Sequence, residues 1–481
     1  MRTNIRLNAL LNVIKTVLGI VFPIITFPYI ARVLNAEGVG IYNFSASIIS
    51  YFSLLAALGI STYAIREGTQ YRNDGRRISL FASQMFSINM ISTCISYILL
   101  FITLLVTPKL HSYNGAILLL SLEIVFTTIG CNWIFNIFEE FVFVSIRTVA
   151  IQLLSVILMF SIVKKPEDLI IYICIIVSCN GLTNIINYIY ARKTLCCIKF
   201  TTDINWKTHL KPILIIFSTA IAITIYVSAD TTMIGFILND YSVGVYSTAV
   251  KIYTLVKQVI TAIMMVLIPR FSLLVSEEDN ETINIFFSRV VNLLSVILIP
   301  AAVGLLFTSQ QIIYVFAGND YVSGTASLRI LCIAILFSQF AYMYIQCILI
   351  PNKRESKVLI ATLTSAVTNI LLNIIFIKNV GIEGAAITTV IAEFMVFGFS
   401  VYYSRDLVKP KGLFRNLISI GIGCLAIGVI CFLAQKNISN QILALIVSVV
   451  GASLAYSVTL FVLKNPVLIS ELKRILYKIR R

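Results

Sequence analysis

Fourteen stretches of about twenty consecutive, mostly apolar residues dominate this chain, and no other feature leaves so few choices of fold. They lie at roughly 9–31, 41–65, 79–106, 114–138, 145–163, 169–191, 211–238, 243–269, 287–309, 324–350, 358–377, 384–404, 416–434 and 440–463. Crossing a hydrocarbon core of ~30 Å takes about 20 helical residues, so each stretch is long enough to span a membrane. Within lipid every backbone N–H and C=O must be satisfied internally, which leaves helices or closed barrels. Barrel strands alternate polar and apolar residues, and these runs do not. The expected fold is therefore an all-α, polytopic membrane protein with about 14 transmembrane helices. Hydrophobic residues make up 59% of the chain and charged ones 12%, and no polar stretch is long enough for a separate soluble domain.

The formal net charge of +16 invites a nucleic-acid reading until the charges are placed. With the N-terminus inside and fourteen crossings, 27 of the 37 Lys/Arg fall on the cytoplasmic side, 6 in outer loops and 4 within spans. That asymmetry sets the orientation, with both termini cytoplasmic. It also makes anionic lipid, not nucleic acid, the partner of the basic face. The first span lacks a small-residue cleavage site after a short apolar core and reads as a retained helix. The ten cysteines show no metal-ligand spacing, the two histidines, His111 and His209, are isolated, and no phosphate-cradling Gly-rich loop with its lysine is present.

An internal repeat organises the chain. "VLNAEGVGIYNFSASI" (Val33 to Ile48) aligns with the segment 204 residues later, with identity at Leu34/Leu238, Asn35/Asn239, Val39/Val243, Gly40/Gly244, Tyr42/Tyr246 and Ile48/Ile252. Arg66 and Arg270 pair at the same offset, where the segments end. Six spans, an even number, separate the copies, so they share one orientation and form a parallel repeat. This divides the chain into an N-terminal six-helix lobe (1–206), a C-terminal six-helix lobe (207–406) and two further helices with a basic tail (407–481). Pro23 and Pro28 within span 1 each remove a backbone hydrogen bond, which predicts a bent or broken helix.

Seven ionisable residues fall more than three residues inside spans: Lys15, Glu123, Asp230, Lys251, Lys257, Arg329 and Glu393. Each costs about 2.5–3.5 kcal/mol at a helix centre, so such groups pair or line a cavity. Asp230 and Lys251 each lie about 12 Å from the outer turn joining spans 7 and 8, which suits an ion pair. Lys257 lies about 21 Å from the outer end of its span, too deep for outward snorkelling, and Lys15 is at a similar depth on span 1. With no carboxylate evident at their level, the two form either a cationic patch for an anionic ligand or a pair reaching the inner interface. Arg329 and Arg32 lie near outer ends and can snorkel. Glu123 and Glu393, near mid-span, are either coupling-ion ligands or protonated carboxyls bonded to neighbours. Asparagines recur at helical spacing (Asn180, Asn184, Asn187; Asn132, Asn136; Asn369, Asn373), as interhelical bonds or sugar ligands.

At this point a family resemblance enters. "TFPYIARVLNAEGVGIYNFSASIISYFSLLAALGISTYAIRE" (Thr26 to Glu67) resembles the opening of O-antigen and capsule repeat-unit flippases of the multidrug/oligosaccharidyl-lipid/polysaccharide exporter superfamily. Similar matches are "NWIFNIFEEF" (Asn132 to Phe141), "SADTTMIGFILNDYSVGVYSTAVKI" (Ser228 to Ile252), "LIPRFS" (Leu267 to Ser272), "LIPNKRES" (Leu349 to Ser356) and "GIEGAAITTVIAE" (Gly381 to Glu393). Asn35 departs from the glycine usual there. The resemblance implies two six-helix lobes around a cationic cavity, plus two helices, in a bacterial cytoplasmic membrane. It implies transport of an oligosaccharide linked by pyrophosphate to a polyprenyl carrier, by alternating access with H+ or Na+ as coupling ion and no other cofactor. On this reading Lys15, Arg32, Lys251, Lys257 and Arg329 serve the substrate, and Asp230, Glu123 and Glu393 are coupling-ion or ion-pair residues. Polysaccharide polymerase and glycosyltransferases are the expected protein partners. A multidrug or cation antiporter and a peptidoglycan-precursor flippase are the competing readings. An enzyme is disfavoured because the long loops, such as "RKTLCCIKFTTDINWKTHLK", lack catalytic constellations.

Overall fold

The computed structural model describes residues 5–265, 267–276 and 280–470, excluding the side chains of 5–18, 20, 222, 223, 276, 280 and 415. The described residues contain no β-strand, and nearly all are helical. Contacts divide the chain at Gly244/Val245 into two compact units. The first holds α1 (Ile5–Ala57), α2 (Ile60–Tyr71), α3 (Gly75–Val106), α4 (Asn114–Gly130), α5 (Trp133–Phe138), α6 (Phe141–Ile162), α7 (Leu169–Tyr190), α8 (Trp206–Ile237) and the first turn of α9 (Asp240–Met265). The second holds the rest of α9, then α10 (Ile268–Ser276), α11 (Asn280–Ala317), α12 (Thr325–Tyr344), α13 (Glu355–Val380), α14 (Ile382–Ser404), α15 (Leu413–Asn437) and α16 (Gln441–Val462).

Among the described residues twelve helices are long and apolar enough to cross a membrane, or thirteen if one bent pair counts as a span. The expected fourteen are not separately resolved, for two physical reasons. Spans 1 and 2 run together in α1, interrupted only at Asn35. Span 7 bends by 44° between Ile221 and Thr224. Of the bend or break expected in span 1, no break occurs at the prolines. Helical geometry continues through Pro23 and Pro28, and the backbone leaves it at Asn35, with φ 57° and ψ 177°. That region is close to glycine-only, so Asn35 holds a backbone conformation that a glycine would take without strain.

The repeated sequence has a reciprocal packing role. A Cβ on Gly40 would lie 1.8 Å from the Asp240 carbonyl oxygen, and one on Gly244 would lie 1.9 Å from that of Ala36. Ala36 and Asp240 are themselves 204 residues apart, so each copy places its glycine on the other's backbone. Only a residue without a side chain permits that approach.

A second repeated device appears after the last of each set of six spans. In the first unit the extended segment 196–205 lies along α3. Ser79, Ser83 and Ser87 accept from the backbone N–H groups of Cys197 (3.1 Å), Lys199 (3.1 Å) and Thr201 (2.8 Å). Four helical residues rise about 6 Å, close to the ~6.6 Å of two extended residues, so every fourth serine meets every second amide. In the second unit Asn284 and Ser288 accept from Lys409 (2.7 Å) and Lys411 (3.0 Å), while Asn292 donates to the Lys411 carbonyl (3.0 Å). Asn284, Ser288 and Asn292 each follow Ser79, Ser83 and Ser87 by 205 residues. The proline in α11 is likewise accommodated by a neighbour. Pro300 cannot donate to the Val296 carbonyl, and the Tyr456 hydroxyl of α16 donates to it instead at 2.8 Å.

Candidate functional site

In the second unit, α9 carries Tyr253 and Lys257 one turn apart on the same face. Lys257 Nζ lies 3.1 Å from Glu393 Oε1 of α14 and donates to the Tyr253 hydroxyl at 3.0 Å. The Tyr253 hydroxyl in turn donates to the same Glu393 oxygen at 3.0 Å. The ammonium also stands 4.8 Å from the centre of the Tyr253 ring. The side chain of Glu393 is only 7% exposed, whereas that of Lys257 keeps 27%. Lys257 therefore has the carboxylate partner that depth along the chain did not reveal, and Glu393 is held by a cation and a phenol. Both charges are compensated, as membrane-buried charges require.

Lys251 belongs to a different face. Six residues separate it from Lys257, which at about 100° per residue places the two about 120° apart around α9. It is half-buried and, within the second unit, has no carboxylate partner among the described residues. Arg329 is exposed in the first turns of α12.

The first unit builds a cavity of about 450 Å³, mostly apolar in lining, to which Tyr42, Ser50, Ser53, Glu123 and Thr224 bring polar groups. Ser53 is the repeat counterpart of Lys257. Glu123, half-buried on α4, accepts from Asn180 Nδ2 of α7 at 2.8 Å. From there amides continue inward: Asn184 Nδ2 to the Asn180 carbonyl (2.9 Å), Asn132 Nδ2 to Asn184 Oδ1 (3.0 Å), and Asn187 Nδ2 to Asn132 Oδ1 (2.5 Å). In the second unit Asn369, Asn373 and Thr388 form a similar buried set. Most of the asparagine stripes thus join helices, while Asn136 is exposed. Asp230 is buried on α8 in the first unit. Arg32 is exposed and donates through Nη1 to the Pro28 carbonyl at 3.2 Å. Lys15 lies in α1, with its side chain outside the described residues.

At the helix ends, electrostatics follow direct contacts. Asp74 caps α3 and accepts from the backbone N–H of Arg77 and Arg76, which holds its carboxyl below the usual range. Arg354 donates to both carboxylate oxygens of Asp406, at 2.8 and 2.5 Å, and lowers that carboxyl likewise.

Sequence reasoning missed two participants. Tyr253 is ordinary in sequence, and only its four-residue spacing from Lys257 could have marked it. Arg147 lies only two residues inside the expected span 145–163 and is absent from the seven charges singled out there, whereas α6 begins at Phe141 and carries it deeper. His209 is not isolated: Tyr63 Oη meets its Nδ1 at 2.8 Å and Gln84 Oε1 its Nε2 at 2.9 Å, in a buried core.

Membrane-length helices, a cavity with polar groups in its lining and a charge pair at mid-helix are the features of a polytopic membrane protein. A solved lipid II flippase MurJ in an inward closed conformation superposes over 94% of this chain and 97% of its own, with a TM-score of 0.74 at 17% identity. A multidrug resistance MATE family transporter in an inward-facing conformation covers 82% of this chain and 94% of its own, with a TM-score of 0.60 at 16% identity. Residues 5–275 match the polysaccharide biosynthesis protein family, and the chain belongs to it. A putative O-antigen transporter of Escherichia coli is 24% identical over 80% of this chain and 92% of its own length. A probable low-salt glycan biosynthesis flippase, Agl15, of Haloferax volcanii is 23% identical over 50% of each chain, so this chain spans about half the length of that relative. These relatives and neighbours are transporters and flippases, and the chain is a membrane transporter rather than an enzyme.

Proposed function

We propose that the protein moves a polyprenyl-diphosphate-linked oligosaccharide from the inner to the outer leaflet of the cytoplasmic membrane, for surface polysaccharide assembly. The observation that carries this reading is the alignment along 92% of a putative O-antigen transporter. A diphosphate and several sugars cannot cross hydrocarbon unaided, because stripping their water is prohibitive. Two six-helix lobes (1–206 and 207–406) rocking about a cationic cavity would offset that cost, with both termini inside. Lys15, Lys251 and Lys257 face the diphosphate, with Arg32 and Arg329 towards the outer side. Asp230 serves as a coupling-ion or ion-pair residue. The ion pair to Glu393 adds a condition: Lys257 reaches the substrate only by leaving Glu393. Uptake of a proton by Glu393 would release it, so substrate binding and proton entry become linked. Glu123 in its cavity offers a second place for H+ or Na+.

The test is loss and restoration of export. Cells lacking this chain should accumulate the carrier-linked oligosaccharide on the cytoplasmic side, and wild-type protein should clear it. Unchanged export in its absence refutes the reading, and drug-dependent cation exchange in vesicles would favour an antiporter.

A further inference from the structure

A basic side chain in the first unit is unaccounted for by these charge pairs. Arg147 lies six residues into α6, about 9 Å from its Phe141 end. Its Nη2 donates to Thr148 Oγ1 at 3.1 Å. Its Nε and Nη1 are buried and have no partner among the described residues. Three of the five guanidinium N–H donors are therefore unused, one on Nε and two on Nη1. No carboxylate among the described residues pairs with Arg147.

Unsatisfied buried donors on a charged group are rare, and each costs most of its desolvation. A lysine or histidine could shed its proton in such a place, but a guanidinium cannot. The group needs an anion with several acceptor oxygens, set so that separate oxygens meet Nε and Nη1. A carboxylate has two oxygens, whereas a phosphate offers three or four and is a favoured arginine partner. The height also fits. With 22 residues, or ~33 Å, α6 barely exceeds the ~30 Å hydrocarbon core, so a Cα about 9 Å from its end lies several ångströms inside, a depth from which an arginine side chain still reaches the headgroup boundary.

We propose that Arg147 is a phosphate-binding residue, distinct from the pairs at Lys257 and Glu123. The phosphate comes either from a bilayer phospholipid or from the diphosphate of the transported lipid, and the second source rests on the function proposed above. Bound there, the anion would satisfy the orphaned donors and tie a headgroup to α6.

The experiment compares wild type with R147M, an apolar side chain of similar reach, and with R147Q, all purified in maltoside micelles. Melting is followed without addition, with inorganic diphosphate, with phosphatidylglycerol, and with monogalactosyldiacylglycerol as a phosphate-free lipid. Without addition, R147M should melt at or above wild type, because orphaned donors have been removed. At least one phosphate probe should raise the wild-type melting temperature, with an apparent affinity at least tenfold weaker in R147M, while the phosphate-free lipid separates none of the proteins. A response to diphosphate assigns the substrate type of phosphate, and a response to phosphatidylglycerol alone assigns the bilayer type. Should R147M fail to fold, R147Q carries the same comparison. The proposal is overturned if wild type responds to neither probe, or if the variants respond as wild type does. The readout is binding, so it stands or falls separately from export.

Discussion

Replacing Lys257 by methionine strands the Glu393 carboxylate, whose side chain is 7% exposed, beside Tyr253 alone. Breaking a buried pair by removing one partner costs about 3–5 kcal/mol when the remaining charge stays ionised. A stranded carboxylate has an escape, since it can take up a proton. Lys257 keeps 27% exposure, so the pair is partly screened and K257M should cost roughly 2–4 kcal/mol at pH 7. The penalty should be smaller at pH 5.5 than at pH 7, because a proton is cheaper to acquire there. E393Q leaves an ammonium that water still reaches, and should cost less. K257M/E393Q removes both charges and should be more stable than the sum of the single effects by about 2 kcal/mol. Denaturant unfolding in micelles at the two pH values measures all four proteins. Single effects that add within about 0.5 kcal/mol, or a K257M penalty independent of pH, would refute the pairing argument.

Four further outcomes follow from packing and local geometry. Gly244→Ala places a methyl 1.9 Å from the Ala36 carbonyl oxygen and should destabilise by about 1–3 kcal/mol or more, as should Gly40→Ala, in the same unfolding assay. Asn35→Gly removes the strain of a non-glycine residue at φ 57°, ψ 177° and should stabilise by roughly 0.5–2 kcal/mol, less whatever glycine loses in chain entropy. Ser83→Ala removes the acceptor for Lys199 N–H and should cost about 1 kcal/mol, with faster hydrogen exchange at that amide than at Thr201. Asp406 is depressed by Arg354, so its stabilising contribution is present above the unfolded carboxyl value and is lost as pH falls through the folded one. With 31% and 57% side-chain exposure that contribution is under about 1 kcal/mol, and Arg354→Gln should abolish its pH dependence in acid titrations of unfolding.

The fold was legible because membrane-spanning helices are written in composition. A run of about twenty apolar residues has few alternatives in lipid, so helix existence and class came straight from hydropathy. The repeat was legible for a related reason: Gly40 and Gly244 are identical because each lies on the other copy's backbone. What hydropathy could not read was where a helix bends. The prolines of α1 sit in unbroken helix, while the break falls at Asn35, whose backbone torsions have no apolar signature. The ladder of Ser79, Ser83 and Ser87 was equally silent, since its partners are main-chain amides and carry no sequence of their own.

Charges inside the membrane posed a different problem. Depth along a helix can be counted from sequence, and depth singled out Lys257. Azimuth decides the partner, and azimuth is meaningful only once the neighbouring helix is known. Glu393 lies 136 residues beyond Lys257, and nothing local to either marks them as a pair. Once α14 is in place, the four-residue spacing of Tyr253 and Lys257 turns both towards it, while Lys251 points about 120° away. The lysine that seemed least partnered is thus neutralised within its own unit, and Lys251 is the one left without a carboxylate there. A substrate diphosphate arriving at Lys257 must displace a carboxylate already bound, whereas at Lys251 no such exchange is needed within the unit. On the function proposed above, initial capture would fall to Lys251, and Lys257 would engage only as Glu393 is relieved of its charge. Lys251→Met should accordingly weaken binding of the lipid-linked substrate at every pH, while K257M should lose transport with binding largely kept. If K257M abolishes binding and Lys251→Met does not, the order of engagement is the reverse.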